Sequence, residues 1–248
     1  MKKNKTVKII IICILVLIML VSGGYLVGYY LDGRLNTDAF KNNSSTTSSS
    51  NLPDNPIDFS ALQTKNTDIY AWIQIPNTRV DYPVLQSSVE DDNYYINRDI
   101  DKQVVKAGSI YSQRLNGKDF SDPNTILYGH NMKNGTMFRD LRKFRDKEFF
   151  EQNEYMYVYC PGHILTYRIY SAYRYDDRHI LNSFDFNNKE VYAEYLEMTQ
   201  NPDSMVKNVR EGVTLTTDDR ILTLSTCMDY GKNRYLVQGV LVKDELTK

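Results

Sequence analysis

Polarity along this chain changes character twice. Residues 9–31, IIIICILVLIMLVSGGYLVGYYL, form an uncharged and mostly apolar run of 23 residues, whereas residues 41–56, KNNSSTTSSSNLPDNP, hold almost no apolar side chain. From residue 57 onward, short runs rich in β-branched and aromatic residues alternate with turn formers. Roughly 20 apolar residues suffice to cross a hydrocarbon core, so the first run predicts a transmembrane helix. The second cannot bury enough surface to offset its ordering entropy and predicts a flexible tether.

The remainder predicts mostly strands: WIQIP (72–76), VDYPVL (80–85), TILYGH (125–130), YMYVYC (155–160), ILTYRIYSAYRY (164–175), VTLTT (213–217), RILTLSTC (220–227) and RYLVQGVLV (234–242). About eight such runs in one domain point to a mainly β fold, a closed or nearly closed barrel. The fifth follows the fourth across Pro161-Gly162-His163 and predicts a hairpin. Three helices are expected at the periphery, at 58–66, 137–150 and 186–200. In the last, Asn187 is the expected N-cap with Glu190 three residues on, and Val191, Tyr195 and Met198 share one side.

The organisation follows as a basic tail at 1–8, a membrane span at 9–31, a linker at 32–56 and one folded domain at 57–248. Lys2, Lys3, Lys5 and Lys8 precede the span and no acidic residue occurs before Asp32, which puts the N-terminus in the cytoplasm and the domain outside the cell. Tyr25, Tyr29 and Tyr30 fit an outer aromatic belt. A cleaved signal peptide is the alternative; its apolar core usually runs only about 7–15 residues, and no A-x-A-like cleavage site follows here. The formal net charge of −1 gives no electrostatic reason to expect a nucleic-acid partner.

Three cysteines need placing. Cys13 lies in the apolar run, and Cys160, at a strand end before Pro161-Gly162, fits a small buried hydrophobe. Cys160 could pair with Cys227, but disulfide frameworks usually use more cysteines in smaller chains. Cys227 is therefore the better candidate for a reactive thiol. In RILTLSTC, Leu222, Leu224 and Thr226 share one face, which belongs in the core, while Thr223, Ser225 and Cys227 take the more accessible one. If the next run pairs back as a hairpin, Cys227 and Arg234 emerge side by side at one rim. A free thiol is only roughly 3% ionised at pH 7, so a neighbouring guanidinium that favours the thiolate or binds an oxyanion has a chemical use. Of the three histidines, His163 in the hairpin turn and His179 in RYDDRH are expected to be solvated. His130 closes the apolar run TILYG at the edge of a loop and is the better proton carrier.

TLSTC with a strand-opening arginine, YGHNM upstream and DIYAWIQIPNTRVDYPVLQ at 68–86, all in order behind an N-terminal anchor, resemble a class B sortase. That resemblance implies a barrel of about eight strands and a membrane-anchored cysteine transpeptidase of Gram-positive bacteria. Such an enzyme cuts a surface protein after the threonine of a C-terminal sorting motif, holds it as a thioester and passes it to a cell-wall amine. By motif, Cys227 is the nucleophile, His130 the acid/base and Arg234 the group that steadies substrate and oxyanion, while Ser225 and Thr226 help line the substrate groove. The implied motif is Asn-Pro-x-Thr-like or Ser/Pro-Pro-x-Thr-like, and the acceptor is an amine of peptidoglycan or its lipid-linked precursor. The helix near 187–200 would wall the groove. No metal or other cofactor is implied, and no acidic cluster suggests calcium. The link from Cys227 to Arg234 is shorter than class B members usually carry. An extracellular cysteine hydrolase and a non-enzymatic surface protein are the rival classes. Neither explains Cys227, His130 and Arg234 together.

Overall fold

The structure is a computed structural model that describes residues 52–89, 91–228 and 231–248. The basic tail, the expected span at 9–31 and nearly all of the linker lie outside the described residues. No helix within them is long and apolar enough to cross a membrane.

Helix α1 (Phe59–Lys65) starts where the Asp58 carboxylate accepts from the Ala61 amide at 3.0 Å, and it buries Phe59. Strands β1 (Ile69–Gln74) and β2 (Asp81–Gln86) form an antiparallel pair. A short β3 (Ile110–Ser112) joins β2 in parallel, and β4 (Asn124–Gly129) follows antiparallel to β3. Next come the hairpin strands β5 (Tyr155–Cys160) and β6 (His163–Tyr175), then β7 (Lys207–Val209), β8 (Ile221–Met228) and β9 (Asn233–Leu246). The sheet order is β5-β1-β2-β3-β4-β8-β9-β6-β7, and β5 also pairs with β6. This second pairing closes an eight-strand barrel. Residues 163–168 of β6 pair with β5 and residues 171–173 with β7, a ninth strand outside the closed ring.

The expected mainly β barrel is therefore present, with differences in detail. VTLTT is not a strand: the Asp219 carboxylate takes the amide and hydroxyl of Thr216, and Gln200 donates to the Val213 carbonyl, so side chains occupy groups a ladder would use. The three-residue strands β3 and β7 were not expected. The helix expected at 137–150 splits into a 3-10 helix (Phe138–Arg145) and α2 (Lys147–Gln152), because Asp146 leaves helical geometry to cap α2 through the Phe149 amide. The hairpin turn is Pro161-Gly162, with Gly162 at φ +82°; His163 belongs to β6 and meets Asp244 at 2.8 Å.

Two short helices follow β6: α3 (Ile180–Ser183) and α4 (Lys189–Gln200). The N-cap of α4 is Asn188 rather than Asn187, its side chain accepting from the Glu190 and Val191 amides. The buried face shifts accordingly by one residue, to Tyr192, Tyr195, Leu196 and Thr199. These residues pack on Ile126, Tyr170, Tyr173, Ile221 and Leu236 of the barrel's outer wall, while Leu222, Leu224, Leu127 and Val237 fill its interior. Both faces of β8 are thus buried, and the expectation that Thr223 and Ser225 lie on an accessible side is corrected: both are buried, and Cys227 is half-buried at the strand end. Burying Leu196 alone contributes roughly 1.5–3 kcal/mol. A buried polar knot fixes where α4 sits. Thr223 donates to Asn124, Gln238 donates to Thr223, and both amides donate to the Tyr195 hydroxyl, at 2.8 to 3.1 Å.

A third cluster, Ile69, Leu85, Tyr95 and Tyr111, seats a second 3-10 helix, Tyr94–Asn97. The buried Tyr95 hydroxyl donates to Asp68 at 2.6 Å and accepts from Asn66, and Lys102 lies 3.3 Å from Asp68. Burial pushes the Asp68 carboxyl up, yet the Tyr95 and Ser88 hydrogen bonds and Lys102 together hold it below its ordinary value. A carboxyl depressed in the folded state contributes stability above its unfolded value, about 3.9, and loses it as pH falls through the folded value. Asp68→Asn should therefore cost about 1–3 kcal/mol at neutral pH and unfold with a shallower acid dependence between pH 5 and 2. Thermal unfolding of both chains across that range checks this; parallel acid slopes would refute it.

Candidate active site

The parallel pairing of β4 with β8 decides what meets what. Gly129 is in register with Thr226, so the residues that follow, His130 and Cys227, leave adjacent strand ends at the same rim. The antiparallel partner β9 starts there, with Arg234 directly opposite Cys227. Three residues from distant parts of the chain are thus delivered to one edge by backbone register.

Arg234 Nη1 donates to Cys227 Sγ at 2.9 Å. His130 Nε2 lies 2.7 Å from the Ile96 carbonyl. A carbonyl only accepts, so the proton of neutral His130 sits on Nε2, and Nδ1 is left to exchange a proton with a substrate. Cys227, His130 and Arg234 line one cavity of about 310 Å³ together with Ser225, Thr226, Tyr111, Tyr128 and His179. All five residues singled out in the sequence therefore reach the same cavity.

Local structure explains how the rim is held. The Thr226 hydroxyl donates to the Gly129 carbonyl at 2.7 Å, tying β8 to β4 one residue before both reactive side chains. Glycine is required at 129 by close approach: a Cβ there would come within 2.5 Å of Ile110 Cδ1 and 2.7 Å of Phe138 Cδ2. The loop after His130 folds back so that the Phe138 amide donates to the His130 carbonyl at 2.9 Å, with a turn at 132–135 in which Gly135 has φ +89°. Asn131, unnoticed in the sequence, donates to the Cys227 carbonyl at 2.7 Å and accepts from Arg139 at 3.0 Å. Its brace joins the histidine loop to the cysteine strand.

For His179 the expectation that it is solvated is corrected. It is partly buried in the cavity wall, its Nε2 2.6 Å from Gln113 Oε1 and its Nδ1 accepting the Asn182 amide to cap α3. Only the folding of the β6–α4 connection brings it there. Burial pushes the Tyr111 and Tyr128 phenols far above their ordinary value, so both remain O–H donors, with their rings stacked at 5.6 Å. Burial, with Asp244 and Asp119, pushes the Cys160 thiol up to about 12 and leaves it an inert core group. Among the described residues no group of three or more His, Cys, Asp or Glu side chains is gathered to hold a metal ion.

A thiol held by a guanidinium, beside a histidine with one free ring nitrogen, in a half-open cavity lined by hydroxyls, is equipped for acyl transfer. Comparison with known proteins agrees. The sortase domain family model matches residues 73–242. Sortase B of Listeria monocytogenes is 37% identical over 186 residues, covering 73% of this chain and 72% of that protein. Sortase B of Staphylococcus aureus is 32% identical over 171 residues, covering 69% and 68%. Among solved structures, Clostridium perfringens sortase B aligns with a TM-score of 0.68 at 32% identity, over 75% of this chain and 100% of that one. A Staphylococcus aureus sortase B–substrate complex aligns at 0.65 and 30% identity, over 75% and 84%. With more than half of its length matched by the family model and relatives above 30% identity over most of both chains, this chain belongs to the sortases, in class B, and is a cysteine transpeptidase acting on sorting-motif substrates.

Proposed function

We propose that residues 9–31 anchor the protein in the cell membrane with its N-terminus in the cytoplasm, and that the extracellular domain attaches surface proteins to the cell wall. The substrate is a C-terminal sorting motif, Asn-Pro-x-Thr-like or Ser/Pro-Pro-x-Thr-like, cut after threonine. The Cys227 thiol passes its proton to His130 Nδ1 and the thiolate attacks the threonine carbonyl carbon, while Arg234 steadies the developing oxyanion. The C–N bond breaks, the departing amine takes a proton from His130, and a thioester remains on Cys227. An amine of peptidoglycan or its lipid-linked precursor then attacks the thioester, giving a proton to His130 and expelling the thiolate. Ser225 and Thr226 line the groove for the motif.

The observation that carries this reading is the 2.9 Å Arg234–Cys227 contact in a cavity that His130 also lines. Mass spectrometry of the full chain, incubated with a panel of fluorogenic motif peptides with and without triglycine or a diaminopimelate-containing tripeptide, tests it. Cleavage after threonine, an acyl adduct on Cys227 and an amine-dependent ligated product are expected. Cleavage that yields only acid whatever amine is added would replace transfer with hydrolysis.

A further inference from the structure

His130 owes its orientation to a carbonyl from another part of the chain. Ile96 belongs to the 3-10 helix Tyr94–Asn97, and its carbonyl lies 2.7 Å from His130 Nε2. The neighbouring carbonyls are engaged elsewhere. Tyr94 accepts from Arg98 Nη1 at 3.2 Å, Tyr95 from the Ser109 amide at 3.0 Å and Asn97 from the Val105 amide at 2.9 Å. These bonds pin the backbone on both sides of Ile96.

Two residues decide where the Ile96 carbonyl sits, and neither lines the cavity that holds Cys227. Gly108 packs against it. A Cβ on Gly108 would collide with the Ile96 carbonyl oxygen and come within 2.7 Å of its carbon and 2.8 Å of the Tyr95 oxygen, and the backbone there has φ +58°. Tyr95 hooks the same turn into the core. It is fully buried, and its hydroxyl donates to Asp68 at 2.6 Å and accepts from Asn66 at 2.9 Å. A histidine that carries protons works from one ring nitrogen, and the partner of the other nitrogen selects the tautomer and holds the ring. A backbone carbonyl makes that selection without placing a second charge beside the ring.

We propose that Gly108 and Tyr95 are positioning residues for transfer: they fix the Ile96 carbonyl, which holds His130 in the orientation that leaves Nδ1 for the reacting atoms. This rests on the acid/base role of His130 proposed above. It extends the machinery to a turn that touches no substrate.

Paired rate assays and ring spectroscopy on the full chain test this. Gly108→Ala should slow peptide cleavage about 10²-fold, the worth of a displacement of about 1 Å at a catalytic group. The loss should fall on kcat with the KM for the motif peptide unchanged, and it should be much smaller for an aryl ester of the same motif, which leaves without a proton. Gly108→Asn separates the carbonyl contact from the turn itself. Asparagine tolerates positive φ, so this variant should be more stable than Gly108→Ala, yet its Cβ meets the same carbonyl and the peptide rate should stay low. Tyr95→Phe keeps the buried ring and removes the hook; it should lose about tenfold with the peptide, the equivalent of one hydrogen bond, and it carries the test alone if neither Gly108 variant folds. In ¹⁵N-histidine spectra of the full chain carrying Cys227→Ala, with His130→Gln identifying the signals, a single tautomer gives the widest separation of the two ring nitrogens. That separation should narrow for His130 when Gly108→Ala or Tyr95→Phe is added, while His163 and His179 keep theirs. A peptide rate near the parent's in both Gly108→Ala and Tyr95→Phe overturns the proposal, as do equal losses with peptide and ester or full recovery of the rate in Gly108→Asn. Equal losses with both donors in His130→Gln would overturn the acid/base role and this inference with it, whereas His130 ring nitrogens that keep the parent's separation overturn this inference alone.

Discussion

Cys227→Ala is expected to remove peptide cleavage and amine transfer together, by at least about 10⁴-fold, because no other group can form the covalent intermediate. Cys227 is half-buried at the open end of β8, and its sulfur meets the Arg234 guanidinium. Truncation there makes no core cavity, so Tm should change by the equivalent of no more than about 1 kcal/mol. The other described cysteine supplies the control. Cys160 is buried, with its thiol pushed up to about 12, so Cys160→Ala should cost stability and spare activity. The measurement pairs a rate assay with intact-mass detection of the acyl adduct. An adduct that persists in Cys227→Ala, or one that vanishes only in Cys160→Ala, would reassign the nucleophile.

His130→Gln is the second large effect, with an expected loss of about 10²–10⁴-fold for peptide substrates. Glutamine is the informative replacement because its amide can still donate to the Ile96 carbonyl, as His130 Nε2 does at 2.7 Å, while it cannot carry a proton. The loss should depend on the leaving group. An amine must be protonated as it departs, whereas a thiol ester or aryl ester of the same motif leaves unaided. The variant should therefore be severely slow with the peptide and much less so with the ester. Equal losses with both donors would mean that His130 only positions the rim.

The parts of the molecule legible in the sequence are those decided locally. Cys227 and Arg234 share a hairpin, so strand alternation and one turn suffice to bring them together. The YMYVYC run and its Pro-Gly turn specify β5 and the start of β6 with no help from elsewhere. Failures begin where a distant partner decides. Three-residue strands such as β3 exist because β2 and β4 flank them, and VTLTT has strand propensity but gives its backbone groups to Asp219 and Gln200. Asp146 divides an amphipathic stretch by capping a new helix, a choice that its own charge pattern does not reveal. At the site, His179 was read as solvated and Asn131 went unnoticed. His179 sits in a polar run and becomes part of a wall through Gln113, 66 residues away. Asn131 did follow His130 directly, and an amide beside a candidate acid/base was the available signal. His130 itself was selected by its strand-end position, and its role rested on the resemblance to sortases.

The β4–β8 ladder also sets when reactivity appears as the chain folds. The Thr226–Gly129 bond spans 97 residues, and the Cys227–Asn131 brace spans 96. Contacts of such sequence separation carry a high loop-closure cost and belong to slow-forming topologies. The β8–β9 hairpin can unite the thiol with its guanidinium early, but the histidine joins only once a parallel pairing has enclosed the β5–β6 hairpin and α4. A partly folded chain therefore carries a thiol with no proton donor beside it. Recovery of turnover during refolding will report the closure of the barrel rather than the formation of its strands.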